Sequence, residues 1–101
     1  MQITRNGSRL TIEGDIDAGN VAQVIEALQQ VPLVLDVSEA DVTDGPAMAA
    51  LTAALKRLLL AGHALALVGS PQLLVHNLYR VGYYPHAGLD VQGLRQDEAY
   101  G

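Results

Sequence analysis

The chain has 101 residues, enough for one domain built around a single core. Half of them are hydrophobic, but Phe, Trp and Cys are absent. The core must therefore come from Leu, Val, Ile and Ala, and thiol chemistry, a cysteine zinc site and an iron–sulfur cluster are excluded. A formal net charge of −5, with only six Lys and Arg that read as scattered, argues against a nucleic-acid partner. The N-terminal residues contain no apolar run of signal-peptide length, and no apolar stretch reaches the length of a bilayer span. The expectation is a soluble, cytoplasmic domain with no membrane insertion.

In chain order, Gln2 to Arg5 and Arg9 to Glu13 alternate apolar and polar residues at period two. Asn6-Gly7 between them predicts a hairpin, because both residues tolerate positive φ. Asp17 is placed to N-cap a helix over about 18–30, in which Val21, Val24, Ile25 and Leu28 form an apolar stripe and Pro32 marks the stop. Leu33 to Val37 is an apolar run too short for a helix, predicted to be a strand covered on both faces and followed by a short acidic loop. Gly45-Pro46 opens the second helix, with Gly45 read as its N-cap and Gly62 as its stop. Met48, Leu51, Leu55, Leu58 and Leu59 are its expected buried stripe, which puts Ala49, Thr52, Lys56, Leu60 and His63 on the outer side. Ala64 to Val68 is a further apolar strand. Ser70 is read as the N-cap of a helix through about Val81, with Leu74, Leu78 and Val81 facing inward and Gly82 at its end. Leu89 to Gln92 forms a short last strand. The polar tail over 93–101 is expected to be disordered or to hold a turn of helix.

The predicted order is β-β-α-β-α-β-α-β: a single α/β domain over 1–101, with a mixed sheet of four or five strands and helices packed against it. The apolar strands at 33–37 and 64–68 should be parallel neighbours.

Four stretches, in this order and spacing, make the chain resemble the STAS domain family of sulfate transporters and anti-sigma factor antagonists. They are Gly14-Asp15-Ile16-Asp17, Leu35-Asp36-Val37-Ser38, the Asp44 turn, and Tyr79-Arg80-Val81-Gly82-Tyr83. The resemblance implies a STAS-like fold and a non-catalytic, bacterial protein–protein interaction domain without cofactors. It implies a regulatory role like that of the anti-sigma factor antagonists, with a serine-kinase-like anti-sigma factor, a transporter ATPase or a sensory complex as partner. The alternatives are an accessory subunit of an ATP-binding cassette (ABC) lipid transporter or a receiver-like protein phosphorylated on Asp. In the antagonists the turn commonly reads Asp-Ser-Ser-Gly, and a kinase phosphorylates the hydroxyl directly after the Asp. Members that accompany lipid-transport ABC complexes carry Thr-Gly-Gly there. Here the run is Asp44-Gly45-Pro46-Ala47, which offers no hydroxyl, so no phosphorylation is expected at that position. Thr43 and Ser38 are the nearest candidates.

The resemblance points to the Asp44, Gly45, Pro46 turn and to Ala49, Thr52, Lys56 and Leu60 beside it as the partner-binding surface. A low-charge strip of small residues next to a helix entry suits that role. The receiver reading would use Asp36 as phosphoacceptor, but the first strand lacks the acidic pair that would hold magnesium. His63, His76 and His86 show no metal-ligand spacing, so no metal site is expected. Tyr83 and Tyr84 read as core or loop packing, with a place at an interface as the alternative. The partner and the oligomeric state stay open.

Overall fold

The computed structural model describes residues 1–96. Five strands and three helices follow the predicted order: β1 Gln2–Asn6, β2 Arg9–Ile16, α1 Val21–Ala27, β3 Val34–Val42, α2 Gly45–Leu60, β4 Leu65–Val68, α3 Gln72–Arg80 and β5 Leu89–Gln92. One mixed sheet runs β1-β2-β3-β4-β5. The β1–β2 hairpin is antiparallel and every later pair is parallel, including the expected β3–β4 pair, in which Leu35 stands beside Leu67.

A strand order that follows chain order, linked by right-handed crossovers, puts every helix on the same side of the sheet. Burial agrees. Leu10, Ile12, Leu35, Val37, Leu65, Leu67 and Leu89 are buried, whereas Thr11, Val34, Asp36, Ala66 and Val68 between them are only half-buried. The central strands are therefore covered on one face, not on both as their apolar runs suggested. Arg9 and Asp36 form an ion pair on the open side. The core lies between the inner sheet face and Val21, Val24 and Leu28 near α1, Leu51, Leu55 and Leu59 of α2, and Leu74, Val75 and Leu78 of α3. α2 sits in the middle of the helical layer, against both α1 and α3.

β3 is longer than expected and absorbs the predicted acidic loop. Thr11 pairs with Asp36 but Glu13 with Glu39, so one extra residue bulges out of β3. The bulge reverses the parity of the strand: Leu35 and Val37 point inward before it, Ala40 after it. β2 likewise runs on to Ile16, through Gly14 at φ +93°.

The helix ends differ from expectation in detail. Regular α1 starts at Val21 and ends at Ala27. Asp17 still acts as a cap, one turn earlier: its Oδ1 accepts from the N–H of Gly19 at 2.8 Å and of Asn20 at 3.0 Å. The N-cap of α2 is Asp44, not Gly45. Ser70 does not cap α3. It is fully buried, its Oγ donates to the carbonyl of Pro71 at 2.9 Å, and Pro71 holds the N-cap position. Val81 lies past the end of α3 and is exposed, and Val75 takes the inner position assigned to it. Both predicted glycine stops hold. His63 N–H reaches back to the Leu58 carbonyl and Tyr83 N–H to the Leu78 carbonyl, around Gly62 and Gly82 at positive φ.

Residues 97–101 of the predicted tail lie outside the described residues. The start of the tail is tied down by Arg95. Its Nε donates to the Gly69 carbonyl at 2.7 Å, and its other nitrogens reach the Ala40 carbonyl and the Asp41 carboxylate.

Candidate functional site

The turn into α2 is built by Asp44. Gly45-Pro46 supplies the first two helical residues, where the missing N–H of proline costs nothing. Asp44 Oδ1 accepts from the N–H of Ala47 at 2.7 Å, while Oδ2 accepts from the N–H of Ala18 at 2.8 Å. One carboxylate thus caps α2 and joins it to the β2–α1 turn. Thr43 strengthens the seam, since its N–H donates to the Ile16 carbonyl at 2.9 Å and its Oγ1 to the same oxygen at 3.3 Å. Across the seam, Asn20 Oδ1 accepts from Asp17 N–H and its Nδ2 donates to the Asp15 carbonyl, both at 2.9 Å.

From this turn the outer side of α2 runs beside α3, and the two enclose an open groove of about 480 Å³. Ala49, Thr52, Ala53 and Lys56 line it from α2, and Asn77, Arg80 and Val81 from α3 and its exit. Of the predicted surface residues, Gly45, Pro46 and Ala49 are exposed, and Asp44 and Lys56 are half-buried. Thr52 is a correction: it is only 7% exposed, and its hydroxyl donates to the Met48 carbonyl one turn back at 2.8 Å. It closes the groove floor and does not stand on the outer surface. Leu60 is 69% exposed but lies beyond the groove lining.

The α3 side, Asn77, Arg80 and Val81, did not enter the predicted surface. Arg80 and Val81 belong to the Tyr79–Tyr83 motif, but helical periodicity turns Val81 inward, and only the folded chain shows that α3 forms the second wall. Lys56 Nζ sits 5.7 Å from the centre of the Tyr83 ring, a cation–π distance, and Tyr83 stacks on His86 at 5.4 Å. Tyr83 and Tyr84 both pack against the core, as expected.

Asp36 lies in mid-strand on the open sheet face rather than at a strand end. Burial pushes its carboxyl pKa up, but the hydroxyl and N–H of Ser38 and the Arg9 guanidinium outweigh this and hold it below the ordinary value of 3.8. Both carboxylate oxygens are engaged, and among the described residues no three acids converge here as a receiver-type magnesium site needs. The hydroxyls of Ser38 and Thr43 are both donating to acceptors of the fold. The histidines occupy three settings: His63 is exposed, His76 stacks on Tyr79, and His86 accepts from Gly88 N–H. Among the described residues no group of three or more His, Cys, Asp and Glu converges on a metal position.

A protein-family model described as Mlab, STAS domain, matches residues 1–83. The chain belongs to the STAS domain family. That agrees with the resemblance carried by its four motifs and with the five-stranded mixed sheet. STAS domains generally mediate protein interactions and are generally non-catalytic. No curated protein matches the chain significantly. Among the described residues no helix is long and apolar enough to cross a membrane.

Proposed function

We propose that this STAS domain is a non-catalytic docking module, held permanently in its binding-competent state, whose partner sits in the α2–α3 groove beside the Asp44 turn. The observation that carries the reading is the turn itself. A helix N-terminus normally welcomes a phosphate, because its free N–H groups and dipole favour negative charge. Here Asp44 already occupies that position, bonded to Ala47 and Ala18. Gly45 and Pro46 carry no hydroxyl to modify, and Ser38 and Thr43 spend theirs on internal bonds.

A kinase-type anti-sigma factor regulates its antagonist through a phosphorylated hydroxyl at this turn, so the turn favours a partner that does not phosphorylate the domain. A transporter ATPase, with this chain as accessory subunit of an ABC complex, fits better than a phosphate-switched anti-sigma factor.

The test is to purify the tagged protein with its partner from the source cell, with and without phosphatase treatment. The partner should stay at the same stoichiometry and the intact mass should carry no phosphate. Ala49→Arg should weaken the complex at least tenfold, about 1.4 kcal/mol, while keeping the wild-type circular dichroism, because Arg is a good helix former. A phosphate on Thr43 or Ser38 whose removal recruits or releases the partner would overturn the reading.

A further inference from the structure

The charge of the chain is divided unevenly. Between Gly45 and Leu89 there is no Asp or Glu, and the segment carries Lys56, Arg57 and Arg80. All eleven acidic residues lie before or after it, together with the remaining three cations. The segment thus has a formal charge of +3 and the rest −8. It is also the segment that supplies both walls of the groove. The six cations therefore divide into three within this segment, two of them brought together on the groove walls, and three outside it.

The two groups differ in what they do. Arg9 pairs with Asp36, Arg95 with Asp41 and backbone carbonyls, and Arg5 reaches the carbonyl of Ala27. Lys56, Arg57 and Arg80 make no ion pair or side-chain hydrogen bond among the described residues. Lys56 and Arg80 rim the groove from opposite walls, and Lys56 is steadied over the Tyr83 ring. Cations left unpaired by a chain that carries so many acids form a surface complementary to anions.

We propose that the groove receives an acidic helical segment of a partner protein, its carboxylates meeting Lys56 and Arg80. This rests on the docking reading above and adds the chemistry of the partner. The concave floor of Ala49, Ala53 and buried Thr52 suits a rod-like segment laid between two helices, and its small side chains allow close approach. A planar anionic membrane would meet the rims of such a groove but not its floor. Charge also favours this surface: the segment that forms the groove walls carries a formal +3 and the rest of the chain −8, so an acidic segment is attracted here rather than to the acid-rich remainder.

The test is a displayed library of helix-forming peptides, random at their surface positions, selected on the full chain. Selected peptides should be enriched in Asp and Glu, lose binding at least tenfold on Lys56→Glu/Arg80→Glu, weaken with added salt, and tolerate Glu26→Arg. Circular dichroism of each variant establishes that the fold is kept. Peptides that Ala49→Arg displaces but that carry no acidic excess, or ignore the double reversal, would overturn this proposal and leave the docking reading standing. If no selected peptide responds to Ala49→Arg, both fall. Phosphatidylglycerol vesicles are the second probe. Binding to them that the double reversal abolishes, with no acidic peptide selected, would assign the cations to a lipid surface and overturn the proposal.

Discussion

Asp44 carries two duties, and a substitution series separates them. Asp44→Ala removes the cap of α2, a loss of about 1 kcal/mol. It also removes the acceptor for Ala18 N–H, a bond at an exposed position and worth about another 1 kcal/mol. For a domain of this length a total near 2 kcal/mol lowers the melting temperature by roughly 10 °C. Asp44→Ser keeps a hydroxyl short enough to cap Ala47 but too short to reach Ala18 as well, so it should lose about half as much. Thermal melts give the totals, and amide exchange assigns them. Ala18 should lose protection in both variants, Ala47 only in Asp44→Ala. A melting point for Asp44→Ala within about 2 °C of wild type, or equal exchange at Ala47 in both variants, would refute the double role.

Gly69→Ala should be far more damaging than Gly7→Ala, although both glycines sit at positive φ. A Cβ at Gly69 would stand 2.3 Å from the Ser38 Cβ and 2.4 Å from its Cα, whereas one at Gly7 meets nothing within 4 Å. Gly7→Ala should cost only the conformational term of about 1 kcal/mol, and Gly69→Ala about 3 kcal/mol or more, read from urea unfolding. Equal losses would mean that the β3–β4 contact is slack. Asp36→Asn tests the open-face ion pair by pH. Because the folded-state pKa of Asp36 is depressed, its stabilising effect is present above the ordinary value of 3.8 and fades as the pH falls through the lower folded value. The variant should thus be less stable than wild type at pH 7 and match it in strong acid. A gap that persists unchanged in acid would assign the loss to packing.

Much of the fold was legible because local signals agree with one another. Asn6-Gly7 makes its hairpin, Gly62 and Gly82 end their helices, and the apolar runs pair as parallel strands. Other features depend on partners distant in sequence. The expected strand stops at Val37 because the apolar run gives way there to Ser38, Glu39 and Asp41, and only pairing with β2 continues the ladder past the bulge to Val42. Thr52 falls on the outer side of a helical wheel, yet it is buried because α3 packs beside it. Gly45-Pro46 looks like the helix boundary, which makes Gly45 the expected cap, but a carboxylate oxygen of Asp44 can reach the N–H three residues on while glycine has no side-chain acceptor. The absence of acids from Gly45 to Leu89 was visible in the sequence. It gained meaning only once α2 and α3 were seen to form the two walls of one groove.

The central claim is that the α2–α3 groove is the working surface of the domain. A small diazirine-bearing amino acid introduced at Ala53 in the groove, and separately at Glu26 on the outer side of α1, tests it directly in the source cell. Irradiation should produce one covalent adduct with a partner protein from position 53 and none from position 26. An adduct from position 26 alone, with the partner still co-purifying, would place the interface on the wrong helix.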